Sequence, residues 1–158
     1  LLKKTNITLI EYAAFFGSIQ IFNYLRLNGV ELSSSLWIYA IHGGNAEIIH
    51  HLEENNIEPE NKSYERMLIE SIKCYLNDFA DYFQSNFLLH KKENLKDYSM
   101  HILKYYNFNL MQNKIINESS FHYLCKYDYF ILLVDFLSRN KSYDINKLFL
   151  TIIIHICQ

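Results

Sequence analysis

One seven-position pattern occurs four times in this chain, and it restricts the fold more than any other feature. Its first copy is Ile10, Ala13, Ala14, Gly17, Ile21, Phe22 and Leu25. Moving every position on by 27 gives Trp37, Ala40, Ile41, Gly44, Ile48, Ile49 and Leu52, so that apolar falls on apolar, Ala on Ala and Gly on Gly. A move by 58 gives Leu68, Ser71, Ile72, Tyr75, Phe79, Ala80 and Phe83, and a move by 111 gives Phe121, Leu124, Cys125, Asp128, Leu132, Leu133 and Phe136. Self-similarity of this kind marks a chain built from supersecondary units, none of which can bury its apolar face alone.

Within each copy the first four positions run i, i+3, i+4, i+7, the stripe of a short amphipathic helix, and the next three make the stripe of a second helix. Gly17 and Gly44 fall where the first helix stops, a place that favours a residue tolerant of positive φ. Gln20 and Glu47 fall in the first turn of the second helix, where the dipole favours acceptors. The unit is thus a helix, a tight turn and an antiparallel helix. Positions 87–118 carry a helical stripe at Leu95, Tyr98, Ile102 and Tyr106 without matching the pattern, and read as a degenerate fourth unit. Residues Asn55 to Asn61, with Pro59 unable to continue a helix, form the clearest loop between units.

Composition agrees with helices. Only 4 Gly and 1 Pro stand beside 13 Tyr and 11 Phe, and strand-rich domains ordinarily take Gly or Pro for their tight turns. Half of the residues are hydrophobic and 20 % are charged, the balance of a folded chain. With 15 Lys and Arg against 17 Asp and Glu, the basic excess that drives general nucleic-acid binding is missing. Cys74, Cys125 and Cys157 show no C-x-x-C spacing, which points to a reducing, intracellular and cytoplasmic setting. No signal-peptide pattern follows Leu1, and the apolar run Leu148 to Cys157 is too short to span a bilayer. That run reads as the first helix of a further unit, apolar nearly all round and suited to self-association. A start without Met and a stop inside a unit lead us to expect a piece of something longer. The units fall at about 5–32, 33–60, 63–87, 88–117 (degenerate), 118–146 and 147–158 (incomplete), in a single domain spanning 1–158.

Thr8-Leu9-Ile10-Glu11-Tyr12-Ala13-Ala14-Phe15-Phe16-Gly17, followed by Gln20-Ile21-Phe22, Leu25 and Asn28-Gly29, resembles the ankyrin repeat, T-P-L-H-x-A-A-x-x-G and then E-I-V, L-L and x-G-A-D. Ser35 to Asn56 resembles a second repeat, Ser119-Ser120-Phe121-His122 resembles the opening of another, and Asp144-Ile145-Asn146 the D-x-N that closes one. The Pro of T-P-L-H is replaced by Leu9, Leu36, Met67 and Ser120, and the first two copies are 27 residues apart where an ankyrin repeat has about 33. Both departures resemble the divergent Asn- and Tyr-rich ankyrin proteins of some protists, whose repeats accompany a domain of unknown function. The resemblance implies an all-α, ankyrin-like helical solenoid of stacked antiparallel helix pairs with shortened or absent β-hairpins.

Catalytic constellations are sparse. Gly43-Gly44 is the lone Gly pair and belongs to no phosphate-binding loop. His122 and Cys125 share a helical face, but the resemblance makes His122 the inter-repeat His of the motif and Cys125 a packed small residue. His50 and His51 point about 100° apart on a helix and read as a solvated pair. Cys74 beside Lys73 has no His in its own repeat to act as base, and reads as inert. The expectation is a protein that is not an enzyme, takes no metal and needs no cofactor.

By the same resemblance, the two positions before each turn face a partner: Phe15 and Phe16, His42 and Gly43, Lys73 and Cys74, Lys126 and Tyr127. Phe15, Phe16, His42, Lys73, Lys126 and Tyr127 are therefore the candidate binding residues, with Phe15 and Phe16 able either to anchor a partner or to pack on a further repeat. The expected function is a non-catalytic module binding a protein partner on the concave face of the solenoid; the alternative is a targeting or scaffold arm of a longer enzyme.

Overall fold

A computed structural model describes residues 7–88, 98–111 and 118–139, with the side chains of 118 and 119 left aside. Among these residues there are helices and turns and no strand, as the Gly and Pro scarcity implies. The chain forms two compact units, residues 1–96 and 97–158. The incomplete unit expected at 147–158, with the self-association expected of it, lies outside the described residues.

The first unit holds α1 (Leu9–Phe15), α2 (Ile19–Leu27), α3 (Leu36–Gly43), α4 (Ala46–Glu54), α5 (Tyr64–Lys73) and α6 (Asn77–Phe83). A short 3₁₀ turn at Glu60–Lys62 precedes α5, and a π turn at Gln84–Leu88 follows α6. Each odd helix packs on the even helix that follows it. In addition α1 packs on α3, α3 packs on α5 and α2 touches α4. The first helices of three repeats therefore lie side by side. Their shared stripe is the core: Ile10, Ala13, Ala14, Trp37, Ala40, Ile41, Leu68, Ser71 and Ile72 are all buried. Trp37 meets Phe83 and Tyr64 edge-on and donates its indole N–H to the Ile57 carbonyl at 2.7 Å, so its one polar atom is satisfied.

Local signals start and stop these helices. Thr8 caps α1 in a capping box with Glu11, whose buried carboxylate accepts from the Thr8 amide at 2.9 Å and also from the Ser35 hydroxyl ahead of α3. Asn45 caps α4 through Oδ1 and donates from Nδ2 to the Gly17 carbonyl at 3.1 Å, tying one turn to the next. At the four turn positions of the pattern, Gly17, Gly44, Tyr75 and Asp128, the backbone is left-handed, with φ of 62°, 63°, 61° and 57°. Only two of these are glycine. At 17, 75 and 128 the turn amide donates three residues back and the next amide five residues back, closing the helix on its orphan carbonyls.

The second unit holds α7 (Ser99–Lys104), α8 (Glu118–Lys126) and α9 (Phe130–Arg139), with a 3₁₀ turn at Phe108–Met111. Its core is Leu103, Phe121, Leu124 and Phe136, and Ser99 and Ser120 share a buried hydrogen bond at 2.8 Å. Tyr106, at φ 58°, repeats the same turn with the same two backbone bonds. The first helix of the degenerate fourth unit thus follows the first four positions of the pattern, displaced by 89 from the first copy: Ser99, Ile102, Leu103 and Tyr106 take the places of Ile10, Ala13, Ala14 and Gly17. A polar Ser at the first position and a Tyr at the turn hide the match from hydropathy.

Candidate functional site

The expected binding positions of the first unit meet at the C-terminal ends of α1, α3 and α5. The packing of α1 on α3 puts equivalent positions side by side, so the ring of Phe15 stacks on that of His42 with centroids 5.4 Å apart. His42 in turn reaches α5. Its Nε2 lies 2.8 Å from Glu70 Oε1, and its Nδ1 lies 3.4 Å from Cys74 Sγ. Lys73 Nζ donates to the same Glu70 oxygen at 3.0 Å. One continuous strip, Phe15 to His42 to Glu70, Lys73 and Cys74, crosses three repeats.

Close backbone contact sets this spacing. A Cβ added at Gly43 would stand 2.1 Å from the Ala14 carbonyl oxygen, and one added at Gly17 would stand 2.5 Å from the Gly43 oxygen. Gly43 therefore has no room for a partner-facing side chain, contrary to its place among the variable positions: it is where α1 and α3 touch.

The electrostatics follow from geometry. Hydrogen bonds to the Cys74 sulfur and the Glu70 carboxylate lift His42 from 6.5 to about 9 against the opposing effect of burial. The ring is therefore protonated at neutral pH, and both nitrogens donate. The last turn of α3 adds to this, because a helix C-terminus favours a cation. Bonding from His42 holds the Glu70 carboxyl below its ordinary value, and Lys73 adds to the effect. Cys74 is the C-cap of α5.

Cys74 Sγ, a His42 nitrogen and a Glu70 oxygen lie within 4.8 Å of one another, a sulfur, nitrogen and oxygen set of the kind zinc accepts. The geometry is nonetheless that of a relay. Sulfur and carboxylate face opposite nitrogens of one ring, a single ion takes only one of these, and Lys73 already occupies the carboxylate.

Phe16 turns away from this strip and is 59 % exposed. With Leu9, Tyr12, Ala13, Ser18 and Ile21 it lines an open groove of about 310 Å³, and the rings of Tyr12 and Phe16 stand 4.8 Å apart. The two adjacent phenylalanines thus divide: Phe15 packs on His42 and Phe16 faces outward. Lys126 and Tyr127 belong to the second unit, where Lys126 Nζ lies 5.9 Å from the centre of the Tyr127 ring and Tyr127 borders the core.

Three expectations need correction. Cys74 does have a His partner, supplied by the preceding repeat. Cys125 is exposed, not packed, although partial burial of its sulfur pushes the thiol up. His51 is only 16 % exposed at its side chain and stacks on Phe22, while His50 alone is solvated. The residue that sequence reasoning missed is Glu70. Its signal was the repeat pattern itself, since Glu70 takes the place of Tyr12 and Tyr39, one turn before the variable pair.

Comparison with protein families, with curated proteins and with solved structures returns no match to the chain. No described helix is long and apolar enough to cross a membrane.

Proposed function

We propose that the chain is a non-catalytic protein-binding module, built as an ankyrin-like stack of helix pairs, that takes a protein partner on the strip formed by Phe15, His42 and Lys73 together with the outward-facing Phe16. Lys126 and Tyr127 are the equivalent positions of the second unit. The observation that carries this reading is the contact chain itself: Phe15 stacks on His42, its equivalent in the next repeat, and His42 reaches Cys74, the neighbour of the third equivalent position Lys73, at the ends of α1, α3 and α5. A row of side chains held in register by a rigid scaffold is the surface that repeat proteins offer to partners. Exposed aromatics bordering such a row supply contact area at small entropic cost. The groove beside Phe16 suits one apolar anchor residue of a peptide.

The test is a peptide-display selection on the intact chain, followed by titration of the selected peptides against Phe16→Ala and Lys73→Ala. Each variant is expected to weaken binding at least about tenfold, about 1.4 kcal/mol, with the helical circular dichroism unchanged. Selected peptides that bind both variants as well as the parent chain would show that the strip is not the binding surface.

A further inference from the structure

Cys74, His42 and Glu70 come from two adjacent repeats and form a directional set. Glu70 fixes the ring through Nε2 at 2.8 Å, Phe15 stacks on it, and the remaining N–H at Nδ1 points at the Cys74 sulfur. A ring N–H 3.4 Å from the sulfur is placed to pair with a thiolate, the form that attacks disulfides. Tyr75, the residue after Cys74, and Gly44, two after His42, border an open groove of about 350 Å³ that continues along Leu76, Asn77 and Asp78. That volume accepts a small ligand.

We propose that Cys74 is a reactive thiol that undergoes exchange with low-molecular-weight disulfides, His42 giving the proton to the departing thiolate and Glu70 positioning the His42 ring. The Cys74 sulfur, as the thiolate paired with the His42 cation, attacks one sulfur of R–S–S–R. A bond forms between them, the original S–S bond breaks, and its electron pair leaves on the second sulfur. That thiolate takes the Nδ1 proton of His42 and departs as R–SH, leaving Cys74 as a mixed disulfide. His42, now neutral, keeps its Nε2–H on Glu70 and regains a proton from water. Cys74 is oxidised and half of the small disulfide is reduced, so no further oxidant is required. Cys125 lacks this advantage, because burial holds its thiol in the protonated form.

The experiment exposes the intact, reduced chain to oxidised glutathione at pH 7 and follows each cysteine by mass spectrometry of separate peptides. Cys74 is expected to form the mixed disulfide at least about tenfold faster than Cys125 in the same molecules. His42→Ala is expected to abolish that difference, and added imidazole to restore part of it at Cys74 alone. Glu70→Gln is expected to slow Cys74 severalfold, with Glu70→Asp recovering most of the rate. Equal rates at Cys74 and Cys125 in the parent chain overturn the proposal without recourse to any variant. So does a fast Cys74 whose rate is unchanged in folded His42→Ala.

Discussion

Cys74 and His42 stand 32 residues apart in the chain, yet the sulfur of one lies 3.4 Å from Nδ1 of the other, because α5 is laid against α3 one repeat further along. The contact makes stability depend on pH. Folding lifts His42 from 6.5 to about 9, so between these values the folded chain holds more protons than the unfolded one. The resulting stabilisation is fully present below about pH 6.5 and is lost as pH rises through 9. Glu70 acts in the opposite sense: its carboxyl is held below 4.5, and its contribution is lost as pH falls through that lowered value. Allowing for partial solvation of the ring, the His42 contribution is on the order of 1–2 kcal/mol. Urea midpoints measured from pH 6 to 9.5 are expected to fall in the parent chain and to stay much flatter in His42→Gln. Parallel slopes for the two proteins would remove His42 from the account.

The approach of α1 to α3 predicts a steep penalty at Gly43. An added methyl group would meet the Ala14 oxygen at 2.1 Å and the Gly17 nitrogen at 2.7 Å, both backbone atoms that cannot rotate aside. Gly43→Ala is therefore expected to cost about 3 kcal/mol or more. Gly29 is the control, since its φ is 82° but nothing lies within 4 Å of the added atom. Gly29→Ala is expected to cost only about 1 kcal/mol, from the backbone alone. Equal shifts in urea midpoint for the two variants would mean that the helices separate at little cost.

What the sequence reveals is the repeat, and with it the helix pairs and most of the core, because periodic burial is written directly in side-chain type. Trp37, Ile41, Leu52, Leu68, Phe83, Leu124 and Phe136 all lie on the repeated pattern and are all buried. The turn at Tyr106 is not legible, because positive φ there is imposed by the closing hydrogen bonds and not announced by Gly or Asn. The site is half legible. Phe15, His42 and Lys73 emerge as neighbours from repeat equivalence, but the Glu70 and Cys74 bonds to His42 depend on which way each side chain leaves its helix. Gly43 is misread for a related reason, since a residue lacking a side chain gives no hint that a second backbone fills its space.

Non-glycine residues at the left-handed turns leave room for improvement. Asp128 sits at φ 57° just after α8 and is exposed. An L-residue with a Cβ incurs on the order of 1 kcal/mol in this conformation, part of which Gly returns through greater freedom in the unfolded chain. Asp128→Gly is expected to stabilise the protein by about 0.5 kcal/mol, read as a rise in thermal midpoint. A fall would mean that the Asp128 side chain makes a stabilising contact in the turn.

The buried Glu11 carboxylate joins the first repeat to the second. It accepts the Thr8 amide and the Thr8 hydroxyl, which fixes the start of α1, and the Ser35 hydroxyl, which lies next to the first residue of α3. Loss of the cap alone, in Thr8→Ala, is expected to cost about 1 kcal/mol. Glu11→Ala removes the acceptor for both repeats and leaves donors at Thr8 and Ser35 without it, so the expected loss is about 2–4 kcal/mol. The link between repeats is isolated by a cycle of Glu11→Ala, Ser35→Ala and the double variant, for which a coupling of about 1 kcal/mol or more is expected from urea denaturation. A coupling within error of zero would assign Glu11 to the cap of α1 alone, and the register of α3 on α1 would then rest on the Gly17 and Gly43 contact and the Asn45 bridge.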